Sequence, residues 1–256
     1  MTHADMILET KGLTRQFNGF TAVNGIDLRV RRGTIHALIG PNGAGKTTCF
    51  NLLTKFLTPS AGQIFFDGRE ITRAAPAAIA RRGVIRSFQI SAVFAHLTPV
   101  ENVTIALQRP LRVSFRFWQS GALLARLRER ALELLDEVGL AAYADLKTAE
   151  LSYGHKRALE IATTLAMDPV LMLLDEPTQG MGHEDVDRVT ALIERVSNGR
   201  TILMVEHNMK MVSSIADTIT VLQRGEILAE GDYASVSANP QVREAYMGTE
   251  NESSAH

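Results

Sequence analysis

A glycine-rich loop constrains the fold of this chain more than any other feature of its sequence. The segment Gly40-Pro41-Asn42-Gly43-Ala44-Gly45-Lys46-Thr47 fits the spacing G-x-x-x-x-G-K-[ST]. It follows an apolar run from Ile35 to Ile39, which predicts a buried strand, and it precedes a predicted helix from Thr47 to Phe56. A strand, a glycine loop and a helix in this order predict an α/β fold in which the loop binds phosphate.

The loop residues have separate chemical roles in this prediction. Glycines allow successive backbone N–H groups to converge on a phosphate, and the helix N-terminus adds partial positive charge. Lys46 supplies a cation for the β and γ phosphates, and Thr47 offers its hydroxyl to Mg²⁺. The alternative is a glycine-rich turn that only caps a helix, and the strand and helix on either side argue against it.

A pair of carboxylates follows a second apolar run. Leu171 to Leu174 predict a buried strand that ends in Asp175 and Glu176, and carboxylates are costly in such a place unless their charge is used. Asp175 is a candidate Mg²⁺ ligand, and Glu176 is a candidate for polarising an attacking water. By itself this pattern also fits a plain strand end followed by a helix cap.

Three further candidates are weak when each is taken alone. Ser152, in Leu151-Ser152-Tyr153-Gly154-His155, is positioned to cap a helix predicted from Lys156 to Met167, and that helix N-terminus could face an anion. Gln89 and His207 are single polar residues near apolar segments. A cap only, for Ser152, and an ordinary surface or core position, for the other two, are the simpler explanations.

The remaining pattern predicts an α/β protein with antiparallel strands near its N-terminus and a helical insertion. The predicted elements are a half-buried strand through Ile26, Leu28 and Val30, a hairpin at Asp67-Gly68, an amphipathic helix between Arg112 and Val138, a helix from Glu184 to Val196, and strands at Thr201 to Val205 and Thr218 to Leu222. We expect one domain over residues 1–248, a helical lobe at about residues 90–165, and a disordered polar tail at 249–256.

Composition excludes several classes of protein. The 256 residues carry a net charge of −1, which does not favour nucleic-acid binding, and the single Cys49 excludes an internal disulfide or a thiolate cluster. The single cysteine fits a reducing compartment, so we expect a cytoplasmic protein. No apolar run is long enough to cross a membrane, so any membrane work must be done by other chains. A basic run predicts a solvated helix face, or a surface against an acidic partner or lipid head groups; its members are Arg112, Arg116, Arg126, Arg128 and Arg130.

Taken in order, five motifs resemble the complete motif series of ABC ATPases. They are GPNGAGKT, the glutamine of RSFQ, LSYGH, LMLLDE and the histidine of VEHNM. The resemblance extends from about Leu13 to Gly248, which is essentially the whole domain. It implies a P-loop NTPase core with a mixed, mainly parallel sheet, N-terminal antiparallel strands and a helical subdomain.

The resemblance also assigns roles to single residues. Gln89 senses Mg²⁺ and the γ-phosphate and touches a membrane subunit, while His207 holds the γ-phosphate together with Glu176. Phe17 matches the aromatic residue that stacks on adenine, and because stacking discriminates bases poorly, GTP could bind as well. The implied contacts to ATP within one chain are Phe17, Gly40, Pro41, Asn42, Gly43, Ala44, Gly45, Lys46, Thr47, Thr48 and Gln89; the implied Mg²⁺ ligands are Thr47, Gln89 and Asp175.

Family architecture implies that two such domains pair head to tail. Ser152, Tyr153, Gly154 and His155 then close over the ATP held by the partner chain. The further implied partners are two transmembrane permease subunits and, indirectly, an external solute-binding protein, which place the chain on the inner face of the cell membrane. Tyr153 and His155 depart from the usual glycine and glutamine of this signature, and Gln179-Gly180-Met181-Gly182 departs from the usual loop after the catalytic glutamate.

The tyrosine, the VEHNM segment and the ending Asn239 to Gly248 look like the ATPases that power branched-chain amino acid and urea importers. They imply an ATP-hydrolysing importer subunit for branched-chain or other amino acids. The alternatives are a urea or amide importer and a soluble ABC ATPase of DNA repair or translation. One cassette, one cysteine and no long heptad run favour transport, and a kinase or GTPase would not explain LSYGH.

Overall fold

The computed structural model describes residues 5–87, 93–108 and 121–253. The chain forms two compact units, of which the first contains Met1–Arg82 and Gly199–His256 and the second contains Gly83–Asn198. The predicted helical lobe of about residues 90–165 falls inside the second unit, which also includes strands and a later helix. A single domain over residues 1–248 stays a prediction.

The first unit combines strands and helices from both ends of the chain. Its strands are β1 (Met6–Phe17), β2 (Phe20–Ile26), β3 (Arg29–Arg31), β4 (Ile35–Ile39), β5 (Ala61–Phe66), β6 (Arg69–Glu70), β9 (Thr201–Val205), β10 (Thr218–Gln223) and β11 (Glu226–Gly231). Its helices are α1 (Lys46–Leu53), α2 (Pro76–Ala80), α7 (Met209–Ile215), α8 (Tyr233–Ala238) and α9 (Pro240–Ser253).

An antiparallel sheet forms the N-terminal part of this unit, with the strand order β2-β1-β5-β6 and with β3 also paired to β1. The predicted hairpin at Asp67-Gly68 is confirmed, because β5 and β6 pair directly around it. Asp67 and Gly68 have φ values of 50° and 70°, and two such residues form the tight turn that suits the twist of a hairpin.

The strand predicted through Ile26, Leu28 and Val30 is interrupted in the structure. These three side chains are buried and alternate with exposed ones, as expected, but β2 ends at Ile26 and β3 begins two residues after Asp27. The hydroxyl of Thr10 donates to the Ile26 carbonyl at 2.7 Å and accepts from the Leu28 N–H at 2.8 Å. A side chain therefore takes the place of ladder hydrogen bonds at this break.

Buried parallel strands form the core of the first unit. β10 and β9 flank β4 and run parallel to it, and β11 pairs antiparallel with β10. All five residues of β4 and all five of β9 are buried, which agrees with their prediction from continuous apolar runs. The carboxyl ends of these strands therefore meet at one edge of the sheet.

Two helix ends of this unit differ from the sequence prediction. α1 ends at Leu53 instead of Phe56, because the Thr54 hydroxyl caps the Phe50 carbonyl at 2.8 Å and Lys55 has a left-handed φ of 63°. α9 continues to Ser253, beyond the start of the tail predicted at 249. Residues 254–256 lie outside the described residues.

The second unit is a helical assembly around two parallel strands. Its strands are β7 (Val84–Arg86) and β8 (Leu171–Asp175), and its helices are α3 (Pro99–Gln108), α4 (Gly121–Glu137), α5 (Tyr153–Leu165) and α6 (His183–Val196). Short 3-10 turns at Ala141–Tyr143 and Thr148–Glu150 connect α4 to α5. The strand at Leu171 and the helices around Lys156 and Glu184 are confirmed, with small shifts of their ends.

The amphipathic helix predicted between Arg112 and Val138 corresponds to α4. Leu127, Leu134 and Leu135 are buried, whereas Arg126, Arg128 and Arg130 are exposed, which is the predicted division of its faces. Arg112 and Arg116 lie outside the described residues. No helix in the described part of the chain combines the length and the hydropathy that are needed to cross a bilayer.

Candidate functional site

The glycine-rich loop connects β4 to α1 in a conformation that only glycine accommodates at two positions. Gly40 and Gly45 have φ values of 148° and 98°. A Cβ atom would lie 2.2 Å from the Leu222 carbonyl oxygen at Gly40 and 2.4 Å from the Ala22 carbonyl oxygen at Gly45. The glycines are therefore required by close backbone approach as well as by their dihedral angles.

Lys46 begins α1 and its side chain lies inside the loop. Its ammonium donates to the carbonyl oxygens of Gly40 at 2.6 Å and Pro41 at 3.0 Å, and the residue is buried. Thr47 is exposed and Thr48 is half-buried in the first turn of the helix. A curled loop, a helix N-terminus and a cation in one place fit the binding of a polyphosphate.

The helix behind the loop carries the single cysteine. Burial raises the pKa of Cys49 to about 12. The thiol therefore stays protonated at physiological pH and is unreactive, in agreement with a packing role.

His207 lies beside the loop by strand register. Leu38 of β4 pairs with Val205 of β9, so Gly40 and His207 both follow that pair by two residues at the same edge of the sheet. The imidazole is 59% exposed. This position agrees with a side chain that reaches toward a ligand of the loop.

Glu206 fixes the backbone around His207. Its carboxylate is fully buried and accepts hydrogen bonds from the backbone N–H groups of His207 at 2.8 Å and Asn208 at 3.0 Å. Asn208 in turn caps α7 by accepting from the Met211 N–H at 3.1 Å. The turn that carries His207 is thus held by hydrogen bonds from both sides.

Phe17 is the last residue of β1 and is 37% exposed. The guanidinium of Arg15 lies 4.5 Å from the centre of its ring, a cation–π arrangement that covers one part of the ring. Arg15 is itself held by donating to the Thr58 carbonyl at 2.8 Å. Contact of Phe17 with an adenine stays a prediction.

The C-terminal helix borders the loop, which sequence reasoning did not anticipate. A cavity of about 530 Å³ is lined by loop residues, by the turn between β10 and β11, and by α9; its lining includes Asn42, Arg224 and Glu244. Burial raises the pKa of Tyr246 on α9 to about 12, although the neighbouring backbone N–H of Gly40 acts in the opposite direction. The chain ending and the phosphate loop therefore pack together within the first unit.

In the second unit, Asp175 ends β8 as a buried carboxylate that pairs with Arg86 at the end of β7. The two strands are parallel neighbours, and Arg86 pairs in register with Leu173, two residues before Asp175. Both side chains are largely buried, with exposed fractions of 14% for Arg86 and 4% for Asp175. Arg86 supplies the charge that a carboxylate at this depth requires.

Glu176 follows in a left-handed backbone conformation with a φ of 44°. For a residue with a Cβ atom this conformation costs about 1 kcal/mol, so surrounding contacts must hold it. Arg157 of α5 supplies such contacts by donating to the carbonyl oxygens of Asp175 and Pro177, each at 3.2 Å. The backbone is therefore anchored on both sides of Glu176.

The predicted cap at Ser152 is confirmed, because its hydroxyl accepts from the His155 N–H at 3.3 Å. Tyr153 donates its hydroxyl to the Gln179 carbonyl at 3.1 Å. A Cβ at Gly154 would lie 3.0 Å from Asp185 Oδ1 on α6, so glycine permits close packing there. The ring of His155 lies 4.3 Å from that of Tyr143.

The predicted Mg²⁺ ligands are distributed over the chain. Thr47 belongs to the first unit and Asp175 to the second, while Gln89 lies outside the described residues. Within the described ranges, no three His, Cys, Asp or Glu side chains form a group that could hold a metal by themselves. A hydroxyl, as in Thr47, and a carboxylate, as in Asp175, are nevertheless among the hard oxygen ligands that Mg²⁺ prefers.

Sequence reasoning missed Arg86, Arg157 and Glu206. Each is a charged residue that adjoins an apolar run, and an ion inside such a run indicates a buried partner. In Arg157 the signal was stronger, because Glu160 lies three residues later on the same predicted helix. The partners of these residues in space, however, could not be read from the sequence.

Comparisons with known proteins agree with the geometry. A model of the ABC transporter family matches residues 23–179, and a model of the branched-chain amino acid ATP-binding cassette transporter matches residues 226–252. The high-affinity branched-chain amino acid transport ATP-binding protein BraF of Pseudomonas aeruginosa is 41% identical over 249 residues, which cover 94% of this chain and 98% of BraF. LivG of Escherichia coli is also a high-affinity branched-chain amino acid transport ATP-binding protein. It is 37% identical over 254 residues, which cover 94% of this chain and 98% of LivG.

Solved structures show the same fold. The ADP conformation of MJ1267, an ATP-binding cassette of an ABC transporter, has a TM-score of 0.82 and 28% identity, covering 95% of this chain and 99% of MJ1267. A dimeric post-hydrolysis state of the ATP-binding cassette MJ0796, bound to ADP and Pi, has a TM-score of 0.72 and 25% identity. The match covers 88% of this chain and 98% of MJ0796. The predicted α/β fold of the P-loop NTPase type is confirmed.

Proposed function

Because this chain belongs to the ABC transporter family of ATP-binding proteins, we propose that it hydrolyses ATP to power the import of branched-chain amino acids. The observation that carries the proposal is the loop from Gly40 to Lys46, in which close backbone packing and an enclosed ammonium form a polyphosphate site. The family matches supply the importer context.

Within the first unit, the loop binds the phosphates of ATP. Backbone N–H groups and the N-terminus of α1 face the phosphate oxygens, and Lys46 exchanges its carbonyl contacts for the β and γ phosphates. Phe17 stacks on the base, and His207 contacts the γ-phosphate from the neighbouring strand end. Mg²⁺, when bound through Thr47, Gln89 and Asp175, neutralises phosphate charge.

Glu176 orients the water that attacks the γ-phosphate. A carboxylate directly after a buried strand is the residue type that accepts a proton from water in this class of reaction. Support comes from its fixed backbone, since the contacts of Arg157 restrict the directions in which its side chain can project.

The complete site requires a second subunit. Ser152 and its neighbours at the N-terminus of α5 serve the ATP of the partner chain, where their N–H groups face phosphate oxygens that Lys46 does not reach. The dimeric state of the similar cassette MJ0796 supports this arrangement. Two permease subunits and an external binding protein complete the transporter, so the chain is held at the inner face of the membrane by its partners.

Branched-chain amino acids are favoured over urea or amides as the solute. BraF and LivG are named for branched-chain amino acid transport, and the model that matches residues 226–252 is that of the branched-chain amino acid ATP-binding cassette transporter. A soluble role in DNA repair or translation is not supported by any of these relatives.

Nucleotide titration and phosphate release test the ATPase part of this proposal. Lys46→Ala should weaken MgATP binding by about 100-fold or more, because the loop loses its cation. Glu176→Gln should bind MgATP normally and lose turnover by about 1,000-fold. Lys11→Ala, an exposed lysine of β1, is the matched control and should change neither quantity. Unchanged affinity in Lys46→Ala would refute the phosphate site.

Uptake into vesicles tests the transport part. The chain, its permease pair and its binding protein are reconstituted with enclosed ATP, and uptake of leucine and of urea is compared. We expect ATP-dependent leucine uptake that Glu176→Gln abolishes. Uptake of urea without leucine would assign the alternative solute, and stimulation of ATP hydrolysis by DNA or ribosomes instead of by permeases would refute transport.

A further inference from the structure

One face of α5 lies against the segment that carries the proposed catalytic carboxylate. Tyr153, Arg157 and Glu160 follow one another at spacings of four and three residues, which place them on the same side of a helix. Tyr153 and Arg157 both donate hydrogen bonds to carbonyl oxygens of the segment Asp175–Gln179. All of these residues belong to the second unit.

The contacts of Arg157 enclose Glu176 on both sides. Its Nε donates to the carbonyl oxygen of Pro177 and its Nη2 to that of Asp175, each at 3.2 Å. A guanidinium presents its donors in a rigid planar fork, so one side chain fixes the relative orientation of these two carbonyl groups. Glu176, with its left-handed φ of 44°, lies between these two anchored carbonyl groups, and its own carbonyl accepts from the Gln179 N–H at 3.1 Å.

Glu160 allows the guanidinium to be buried in this position. Its carboxylate accepts from Nη1 of Arg157, and both side chains have an exposed fraction of 8%. A buried cation needs such a partner, whereas the two hydrogen bonds to the segment come from Nε and Nη2 of Arg157. Charge compensation and backbone anchoring are therefore divided between two residues and can be tested separately.

We propose that Arg157 is a positioning residue for ATP hydrolysis, which sets the direction of the Glu176 side chain by holding the carbonyl groups of Asp175 and Pro177. The inference rests on the proposed catalytic role of Glu176. Arg157 acts on the reaction through the backbone and not by contact with the nucleotide. It links the helix that carries the signature of one nucleotide site to the carboxylate of the other.

The decisive variants are Arg157→Lys and Glu160→Gln in the full chain. Lysine keeps the positive charge beside Glu160 but, as a point donor, cannot hold both carbonyl groups in the geometry of the fork. Glutamine keeps an acceptor for Arg157 and removes the charge of the pair. Both variants weaken the ion pair, but only Arg157→Lys releases the backbone of Glu176.

The matched control is Arg130→Lys on α4. Arg130 and Glu133 form an ion pair with the same three-residue spacing, but their exposed fractions are 53% and 56%. The readouts are kcat for phosphate release, the Kd for MgATP, the unfolding temperature, and amide hydrogen exchange in the peptide that covers residues 175–182.

We expect Arg157→Lys to lower kcat by about 10-fold while the Kd for MgATP stays within about 2-fold, because orientation is lost and phosphate binding is not. Amide exchange in residues 175–182 should accelerate in this variant at a temperature well below its unfolding temperature. Arg130→Lys should keep both kcat and exchange within about 2-fold of the wild type. Glu160→Gln should lower the unfolding temperature, because the buried guanidinium loses its charged partner, but its amide oxygen still accepts from Arg157, so its kcat and exchange should change less than those of Arg157→Lys.

Equal loss of kcat in Arg157→Lys and Glu160→Gln would overturn the inference, because the ion pair and not the clamp would then matter. A fall in kcat without faster exchange would overturn it as well. Glu176→Gln, measured in parallel, distinguishes the catalytic role of Glu176 from the positioning role of Arg157. Wild-type turnover by that variant would refute the catalytic role itself, whereas an inactive Glu176→Gln beside a fully active Arg157→Lys would refute only the role of Arg157.

Discussion

The phosphate loop of the first unit and the segment Asp175–Gln179 of the second both follow a buried strand, but they are held in different ways. In the loop, glycines let the backbone pack directly against carbonyl oxygens of other strands. In the carboxylate segment, side chains of α5 and β7 hold carbonyl and carboxylate groups. Lys46 also donates to loop carbonyl oxygens, but the close approaches at Gly40 and Gly45 require the absence of a side chain, whereas the carboxylate segment is held by side chains of its neighbours. Different substitutions therefore disable the two.

The largest effect is expected from a methyl group in the phosphate loop. In Gly45→Ala the added Cβ would lie 2.4 Å from the Ala22 carbonyl oxygen at a φ of 98°, so the loop must move. MgATP affinity should fall by about 1,000-fold, equivalent to about 4 kcal/mol. Isothermal titration measures the affinity of the variant for MgATP.

Gly199→Ala is the control for this experiment. Gly199 has a similar positive φ of 72° but no atom within 4 Å of an added Cβ, and it lies in a turn before β9. The Gly199→Ala variant should lose about 1 kcal/mol of stability and keep its affinity for MgATP. If both variants bind MgATP like the wild type, close packing does not shape the loop.

This contrast explains how much the sequence could predict. The glycines, lysine and threonine of the loop form one contiguous motif, and the apolar runs of β4, β8 and β9 identify buried strands without knowledge of their neighbours. Both kinds of signal are local. The fold class and the phosphate loop could therefore be predicted from residues that are adjacent in the chain.

The remaining features depend on partners that are distant in the sequence. The break between β2 and β3 is bridged by the hydroxyl of Thr10, which lies sixteen residues before Ile26. Likewise no spacing rule relates Arg157 to the Pro177 carbonyl, or Arg86 to Asp175 across 89 residues. Charged residues beside apolar runs indicate that such partners exist, but only the folded structure identifies them.

Loss of Arg86 should have the next largest effect, and it tests whether the carboxylate segment of the second unit depends on a side chain that holds Asp175. In Arg86→Met the buried carboxylate of Asp175 loses its ionic partner, and the free energy of unfolding should fall by about 3 kcal/mol. The double variant Arg86→Met, Asp175→Asn should recover part of this loss, because no buried charge remains. Denaturant unfolding measures both.

Arg128→Met serves as the exposed counterpart. The ion pair of Arg128 and Asp145 has exposed fractions of 52% and 75%, so its loss should change stability by less than about 0.5 kcal/mol. A similar effect of Arg86→Met would mean that the pair with Asp175 contributes no more than a surface contact.

Acid should affect the first unit through His36 of β4. Burial lowers the pKa of His36 from 6.5 to about 4, and its Nε2 lies 2.7 Å from the Thr220 hydroxyl, which donates to the carboxylate of Glu230. Between these pKa values the unfolded chain binds a proton that the folded chain does not, so stability is present above pH 6.5 and is lost as the pH falls toward 4. At pH 5 the loss from this group is about 2 kcal/mol.

Denaturant unfolding at pH 7 and pH 5 tests this dependence. His36→Gln cannot take up the proton, so its stability should fall less between the two pH values than that of the wild type. An equal fall in both proteins would assign the acid sensitivity to other groups.

The smallest expected effect concerns Tyr153, which holds the end of the carboxylate segment opposite to Asp175. Tyr153→Phe removes only the hydroxyl that donates to the Gln179 carbonyl at 3.1 Å, and because the ring is 41% exposed, water replaces part of the lost hydrogen bond. The loss should be about 0.5 kcal/mol, which corresponds to amide exchange in residues 179–182 that is about 2-fold faster. The unfolding temperature should not change measurably, since no buried group is left without a partner. Tyr233→Phe, a tyrosine of the first unit that is 39% exposed, is the matched control and should leave exchange in residues 179–182 unchanged. If Tyr153→Phe behaves like this control, then the hydroxyl of Tyr153 does not hold the segment, and the hydrogen bonds from α5 that matter are confined to the residues on either side of Glu176.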